Sequence, residues 1–399
     1  MAFWEHTSFF IALINLATIC FVIVWYIHSY VSNYGKFPLV FCKQGTTLDI
    51  IIKNEIPILK RRYMPLFWCP GSRCQIMLMS CLRPFSKLNY RREVITEPNG
   101  GQFYLDWIDN DNNERFPDST IRPTVFVLPG LTSCSNVSYV KSTVNRLTED
   151  GYRVMVIVYR GLDGMQLKTP ETYCATKTND IHHAIQHFRQ HYPKSQLFAV
   201  GISMGAILLG IYLSQNSEKC GLEAAMLFSC PFNAPLSAKE TELWKNRIIF
   251  NQYVAWQRKR IYRKHCKVFQ DIVDHKKIIQ ATDLREFDKH FTAPLFGYRN
   301  AEEYYQDCSL NETKLKAIKI PLLCVGSNDD MYSPERGLPK KEVCRTDYVA
   351  LVMTRGGGHV CHLQGFNPYS KTYFEQIMTE YLFAMVNNSQ SHIYITHTK

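Results

Sequence analysis

The chain has 399 residues, of which 46% are hydrophobic and 20% charged, with a formal net charge of +11. That balance excludes general disorder and allows one large domain or two medium ones. A basic surplus suits a membrane surface or nucleic acid. With no zinc-finger spacing, RNP-like string or basic zipper present, a bilayer is the expected partner and nucleic acid is not.

Residues 9–27, FFIALINLATICFVIVWYI, carry no charge and are long enough to cross a bilayer core as a helix. Trp25, Tyr26 and Tyr30 stand at its C-terminal end, where amphipathic aromatics prefer the interface. Glu5 and no basic residue precede the run, and no small-x-small cleavage site follows it. A retained anchor is therefore expected rather than a cleaved signal peptide. Lys36 and Lys43 follow the span, so the positive-inside rule puts the rest of the chain in the cytosol. The sequons at Asn136, Asn311 and Asn387 argue the other way, although a glycan on Asn136 would obstruct the site proposed below. The 14 cysteines include no Cys-x-x-Cys pair. They read as mostly free, buried thiols in a reducing compartment, with neither a zinc site nor a disulfide framework.

Residues 31–88 show no strong period and read as an irregular lead-in packed on the domain or the membrane. Residues 90–108 alternate on either side of Asn99-Gly100-Gly101, a hairpin signal, because the turn needs the positive φ that Asn and Gly supply. Residues 109–122 form a polar, acidic loop. A regular rhythm then starts. Strands are expected at 124–130, 152–161, 196–203, 224–229, 322–327 and 348–354, and helices at 137–149, 178–191, 204–213 and 372–386. Strands alternating with helices imply a mainly parallel sheet covered on both faces. Residues 231–320 interrupt this rhythm. They are helical in tendency, aromatic and basic, and too long for a simple connection, so they form an insertion with its own structure.

The stretch FAVGISMGAILLGIYL places Ser203 between a predicted strand and a predicted helix, with Gly201 and Gly205 on either side. A Gly-x-Ser-x-Gly in that context makes a sharp elbow that exposes a nucleophile. The same string also suits a glycine-rich corner between buried elements. A serine hydroxyl needs a base, and the base needs an orienting acid. Asp329 and Asp330 follow the strand at 322–327, and His359 follows the strand at 348–354 in the loop RGGGHVCHLQG. All three kinds of group thus fall at C-terminal strand ends, in the order serine, acid, histidine. The N–H groups of Met204 and of Leu131, in LPGLTSCS, are the candidate oxyanion donors. There is no His-Glu-x-x-His and no EF-hand loop, so no metal or cofactor is expected.

On the strings RPTVFVLPGLTS, YRGLDG with LKTPETYC, GISMG, REFDKHFTAPLFGY, IPLLCVGSNDDMYSP and GGGHVCHLQGF, the chain resembles the membrane-anchored α/β-hydrolase-domain lipid hydrolases. This group includes phospholipase and acylglycerol-lipase members and related bacterial and yeast ester hydrolases. The likeness spans roughly residues 85–386. It implies an α/β-hydrolase fold with a mostly parallel sheet, helices on both faces, a helical cap and an N-terminal transmembrane helix. The implied division is an anchor at 1–30, a lead-in at 31–88, a hydrolase domain at 89–386 with its cap at about 231–320, and a tail at 387–399. By the family motif Ser203 is the nucleophile, His359 the base and Asp330 the orienter, with Asp329 still open. CHLQGF departs from the relatives and adds His362 as a second histidine, but His359 directly follows the glycines, as the family histidine does.

The resemblance implies a membrane-bound phospholipase of A1 type acting on phosphatidylcholine-like lipids, in an endomembrane such as the endoplasmic reticulum. An acylglycerol lipase or an acyltransferase on the same triad is the alternative. No histidine here has an aspartate five residues on, which lowers the acyltransferase reading. A non-catalytic lipid or sterol binder is the alternative from another class. Within the cap, Arg285, Asp288 and Lys289 are expected to tie the insertion to the sheet by salt bridges. Residues 244–267 carry eight Lys or Arg among aromatics, which suits either a solvated basic face or a surface for anionic headgroups.

Overall fold

The computed structural model describes residues 2–81 and 88–390. Nine strands form one sheet: β1 (Leu39–Phe41), β2 (Arg91–Thr96), β3 (Gln102–Ile108), β4 (Thr124–Leu128), β5 (Arg153–Val158), β6 (Leu197–Ile202), β7 (Ala224–Phe228), β8 (Leu322–Ser327) and β9 (Val349–Thr354). Their spatial order is β1-β9-β8-β7-β6-β4-β5-β3-β2. The strands from β5 through β4, β6, β7 and β8 to β9 run parallel. The hairpin β2–β3 and the short β1 join antiparallel at the two edges. The chain places β5 on one side of β4 and then returns to place β6 on the other. Such a reversal opens a crevice beyond the C-terminal ends of the strands.

Alternation along each strand builds two cores. On β4, Phe126 and Leu128 join one cluster and Val125 and Val127 the other; on β6, Ala199 faces one side and Phe198 and Val200 the other. α1 (Ala2–Asn33), α2 (Thr47–Glu55), α3 (Ser72–Cys81), α4 (Ser138–Glu149), α5 (Asn179–His191) and α6 (Met204–Asn216) are the helices outside the insertion that precede β7. Ile181, Ala184, Ile185 and Phe188 of α5 pack on the first face, as their spacing predicts. Val140, Val144 and Leu147 of α4, with Ile377, Tyr381 and Met385 of the closing helix Tyr373–Gln390, cover the second. α6 is buried from Met204 through Leu213, so apolar residues surround its whole circumference.

The lead-in corrects one expectation. It is regular in parts: β1 extends the sheet on β9, and α2 begins where Thr46 accepts a hydrogen bond from the Asp49 N–H. These elements are three and nine residues long, too short for a hydrophobic period to stand out. Residues 82–87 lie outside the described residues. The thiols need a correction too. Cys69 and Cys74 form a disulfide. Cys174, Cys220, Cys230, Cys308 and Cys324 are free, buried thiols.

Between β7 and β8 the chain forms only helices, among them Ala234–Glu242, Gln252–His265 and Ala301–Cys308. The expected salt bridges from this cap to the sheet are not made. Arg285 pairs with Glu242 and Glu302, and Asp288 lies 3.7 Å from Arg258 and accepts from Thr292 and Tyr305. Lys289 makes no ion pair among the described residues. Every one of these partners belongs to the insertion, so the motif staples cap helices to one another. Burial raises the Asp288 carboxyl above its usual range, and the Arg258 charge opposes this. Arg258 is itself buried, so it leaves the basic face read from residues 244–267. Contacts from cap to sheet loops include Gln257, which accepts from the Thr132 hydroxyl at 2.6 Å, His265, 2.9 Å from the Gly161 carbonyl, and Glu240, which pairs with Arg336 at 3.0 Å.

α1 has the backbone of one long helix. Its segment Asn15–Asn33 is the one described helix long and apolar enough to cross a membrane. The side chains of residues 9–14 of the predicted span lie outside the described residues.

Candidate active site

Ser203 follows β6 and caps α6 with φ 56° and ψ −117°. This region is forbidden to most L-residues and costs about 1–3 kcal/mol. The surroundings hold it there. Its N–H donates to the Phe228 carbonyl at 2.9 Å, and its own carbonyl accepts from Ala206 and Ile207 at 2.9 and 3.2 Å. The two flanking glycines permit the corner. A Cβ on Gly205 would stand 2.1 Å from the Leu128 carbonyl oxygen, and one on Gly201 2.6 Å from the Gly205 oxygen. Any larger residue would push α6 off β4 and β6.

His359 lies opposite. Its Nε2 is 2.8 Å from Ser203 Oγ, and its Nδ1 is 2.8 and 3.0 Å from the two carboxylate oxygens of Asp330. Asp330 is 2% exposed and also accepts from the N–H groups of Tyr332 and Ser333 at 2.8 and 3.1 Å. These donors fix the carboxylate before the imidazole reaches it. The structure thus brings together residues 203, 330 and 359 from the ends of β6, β8 and β9.

The string SNDD divides its work residue by residue. Ser327 donates to the Gly358 carbonyl at 3.0 Å, Asn328 accepts from the Gly356 N–H at 2.9 Å, and Asp329 accepts from the Gly358 N–H at 2.9 Å. These three fasten the glycine loop, and the fourth meets the histidine. Burial raises the Asp329 carboxyl above its usual range. His362 is not at the serine. It is fully buried, with Nε2 2.9 Å from the Thr354 hydroxyl and the Phe228 and Tyr63 rings beside it. Desolvation holds it at about 4, so it stays neutral.

In the loop after β4, two of three successive N–H groups are already used. Gly130 donates to the Tyr139 hydroxyl at 2.8 Å and Thr132 to the Tyr173 hydroxyl at 3.2 Å. Between them the Leu131 N–H has no acceptor among the described residues. Met204 stands first in α6, where a backbone N–H has no partner within the helix. A Cβ on Gly130 would stand 3.2 Å from the Ser203 Cβ, so the loop that carries Leu131 passes beside the serine, where the positive end of α6 also lies.

The sequence reading did not single out Tyr139 and Tyr173, because nothing local marks a hydroxyl that closes on a distant loop. Nor did it single out Tyr332, whose ring centroid lies 4.6 Å from that of His359. A further set also passed unremarked. Glu93 on β2 and His187 and His191 on α5 hold ligand atoms within 4.8 Å of one another. They line a cavity of about 390 Å³ shared with Arg91, Trp107 and Arg153. Ser203, Asp330 and His359 do not line it.

The family described as "Serine aminopeptidase, S33" matches residues 119–347. Phospholipase ABHD3 of Bos taurus is 36% identical over 365 residues, covering 92% of this chain and 88% of the relative. The protein of that name from Homo sapiens is 35% identical over 387 residues, covering 96% and 94%. The chain belongs to the α/β-hydrolase-domain lipid hydrolases. Among that family's relatives, the Monoacylglycerol lipase of Saccharomyces cerevisiae is 27% identical over 318 residues, covering 69% of this chain and 70% of the relative. Membership makes the protein a carboxylic ester hydrolase.

Proposed function

We propose that this protein is a membrane-anchored phospholipase of A1 type that cleaves phosphatidylcholine-like lipids through an acyl-enzyme on Ser203. The observation that carries the reading is the hydrogen-bonded chain Ser203–His359–Asp330 on a strained elbow. His359 Nε2 takes the Ser203 proton as Oγ attacks the acyl carbonyl, and the Leu131 and Met204 N–H groups hold the oxyanion. The lyso-lipid alcohol then leaves with the proton from His359. Water, activated by the same nitrogen, releases the fatty acid. Asp330 keeps Nδ1 protonated and stabilises the imidazolium. The two phospholipase-named relatives support a glycerophospholipid. α1 supports an anchor at 1–30 that confines a hydrolase domain at 89–386 to its substrate's surface, in an endomembrane such as the endoplasmic reticulum.

The yeast relative's name favours a second reading, an acylglycerol lipase on the same residues. The test is to label the membrane-expressed full chain with a fluorophosphonate probe, wild type beside Ser203→Ala. A screen with mixed-chain phosphatidylcholine and monoacylglycerol follows. Labelling lost only in the variant, with release of the sn-1 acid, supports the proposal. Release from monoacylglycerol alone moves the second reading forward. Absence of labelling on folded wild type overturns both and leaves a non-catalytic lipid binder.

A further inference from the structure

Exposed apolar side chains collect where α1 meets the rest of the chain. The Tyr26 and Tyr30 hydroxyls donate to the carbonyls of Phe67 and Pro65, and both rings pack on the Phe67 ring at 5.2 and 5.1 Å. Phe67 in turn packs on Phe366 at 4.9 Å, and the Trp68 indole N–H donates to the Phe366 carbonyl at 2.9 Å. Beyond the disulfide of Cys69 and Cys74, Arg73 of α3 grips Asn246 of the cap with two hydrogen bonds of 2.9 and 3.2 Å. Asn246 lies within the turn that carries Trp244, Ile248 and Ile249.

The outward faces of this chain of contacts are apolar. Trp244 is 86% exposed, Ile248 72%, Phe366 71%, Ile249 55% and Trp68 50%. They come from three segments that are distant in sequence, so no one stretch announces them. The collar borders the catalytic loop. Ser72 packs against Gly358, the residue before His359, and the Leu66 and Phe67 N–H groups donate to the Leu363 and Gly365 carbonyls at 3.1 and 2.7 Å.

We propose that Trp244, Ile248, Ile249, Trp68 and Phe366 form a second membrane contact that dips into the bilayer interface and seats the edge of the Ser203–His359 site on the lipid. The inference rests on reading α1 as a span and Ser203 as the nucleophile. The occupant is a bilayer because the collar continues directly from α1, whose own side chains at Leu16, Ile19 and Phe21 to Trp25 are exposed and apolar. A span that ends at Tyr26–Phe67 puts Phe366 and Trp68 at the depth where aromatic residues prefer to lie. Lys245 and Arg247 beside Trp244 suit the headgroup layer above the buried side chains. An acyl chain then reaches the serine from the bilayer without crossing water, and the contact sets the orientation that one helix alone leaves free to swivel.

The experiment uses the full chain in phosphatidylcholine vesicles. The triple variant Trp244→Glu, Ile248→Glu, Ile249→Glu is assayed on vesicle lipid and on p-nitrophenyl butyrate. The expected result is a loss of about tenfold or more on vesicles with the soluble ester cleaved at the wild-type rate. Equal rates on vesicles overturn the collar. In a second measurement, vesicles of brominated phosphatidylcholine are used to compare wild type with Trp244→Phe. The emission that Trp244 supplies is expected to be quenched by shallow bromines, and unquenched emission overturns the proposal even if the triple variant misfolds. Wild type extracted by alkaline carbonate removes the anchor reading and the collar with it. Wild type that cleaves neither substrate removes the Ser203 reading, which the bromine measurement does not depend on.

Discussion

Two clusters of titratable side chains sit on the same sheet, and only one has the marks of chemistry. Glu93, His187 and His191 offer three ligand atoms beside a 390 Å³ cavity, on an edge strand and the outer side of α5. Ser203, Asp330 and His359 do not line that cavity. What distinguishes them is constraint. The serine is held in a forbidden backbone region, the aspartate is pinned by two N–H donors before it meets the imidazole, and Ser327, Asn328 and Asp329 tie down the loop that carries the histidine. Room and donors alone describe many surfaces; strain maintained by the surroundings is rarer and marks a site.

Ser203→Ala is expected to lower kcat/KM by about 10⁶-fold, read on a soluble ester. Asp330→Asn should cost about 10⁴-fold, because the imidazole loses the carboxylate that holds its tautomer. Asp329→Asn keeps an acceptor for the Gly358 N–H and should cost about tenfold at most. A ratio near one between the two variants would mean that either aspartate serves.

Gly205→Ala tests the corner itself. A methyl group 2.1 Å from the Leu128 oxygen has no room, so a loss of about 3 kcal/mol or more in denaturant unfolding is expected. His362 gives a smaller, pH-dependent effect. Its folded value of about 4 lies below the ordinary 6.5, so the unfolded chain takes up the proton first. Stability present above pH 6.5 is lost as the pH falls toward 4, and about 2 kcal/mol should be gone at pH 5. His362→Asn accepts the φ of 49° and should shrink the Tm difference between pH 7 and pH 5. The second cluster should give the smallest effect: His187→Ala with His191→Ala is expected to leave esterase activity within about twofold of wild type. A larger loss would make this cluster part of the catalytic machinery.

Much of the fold was legible because its signals are local. The buried strands at 124–128, 197–202 and 322–327 are continuous apolar runs, and Ile181, Ala184, Ile185 and Phe188 keep a helical period. The lead-in was not legible. A three-residue strand such as β1 has no period of its own and exists because β9 offers an open edge. The cap's ion pairs were misjudged for a related reason. The pattern of Arg285 and Asp288 announces charges but not which buried surface they meet.

Period, turn chemistry and chain order are properties of neighbours, so the alternation of strands and helices, the corner at Ser203 and the order serine, aspartate, histidine could be read from the residues alone. Between candidates that are neighbours themselves, long-range packing made the choice. Asp329 and Asp330 are equivalent as residue types, yet one side chain meets a backbone N–H and the other meets His359. His359 and His362 differ in the same way, one turned to Ser203 and the other sealed beneath Phe228. The choice depends on where residues some 30 to 160 places apart come to lie, and closing those distances is the work of the packed sheet.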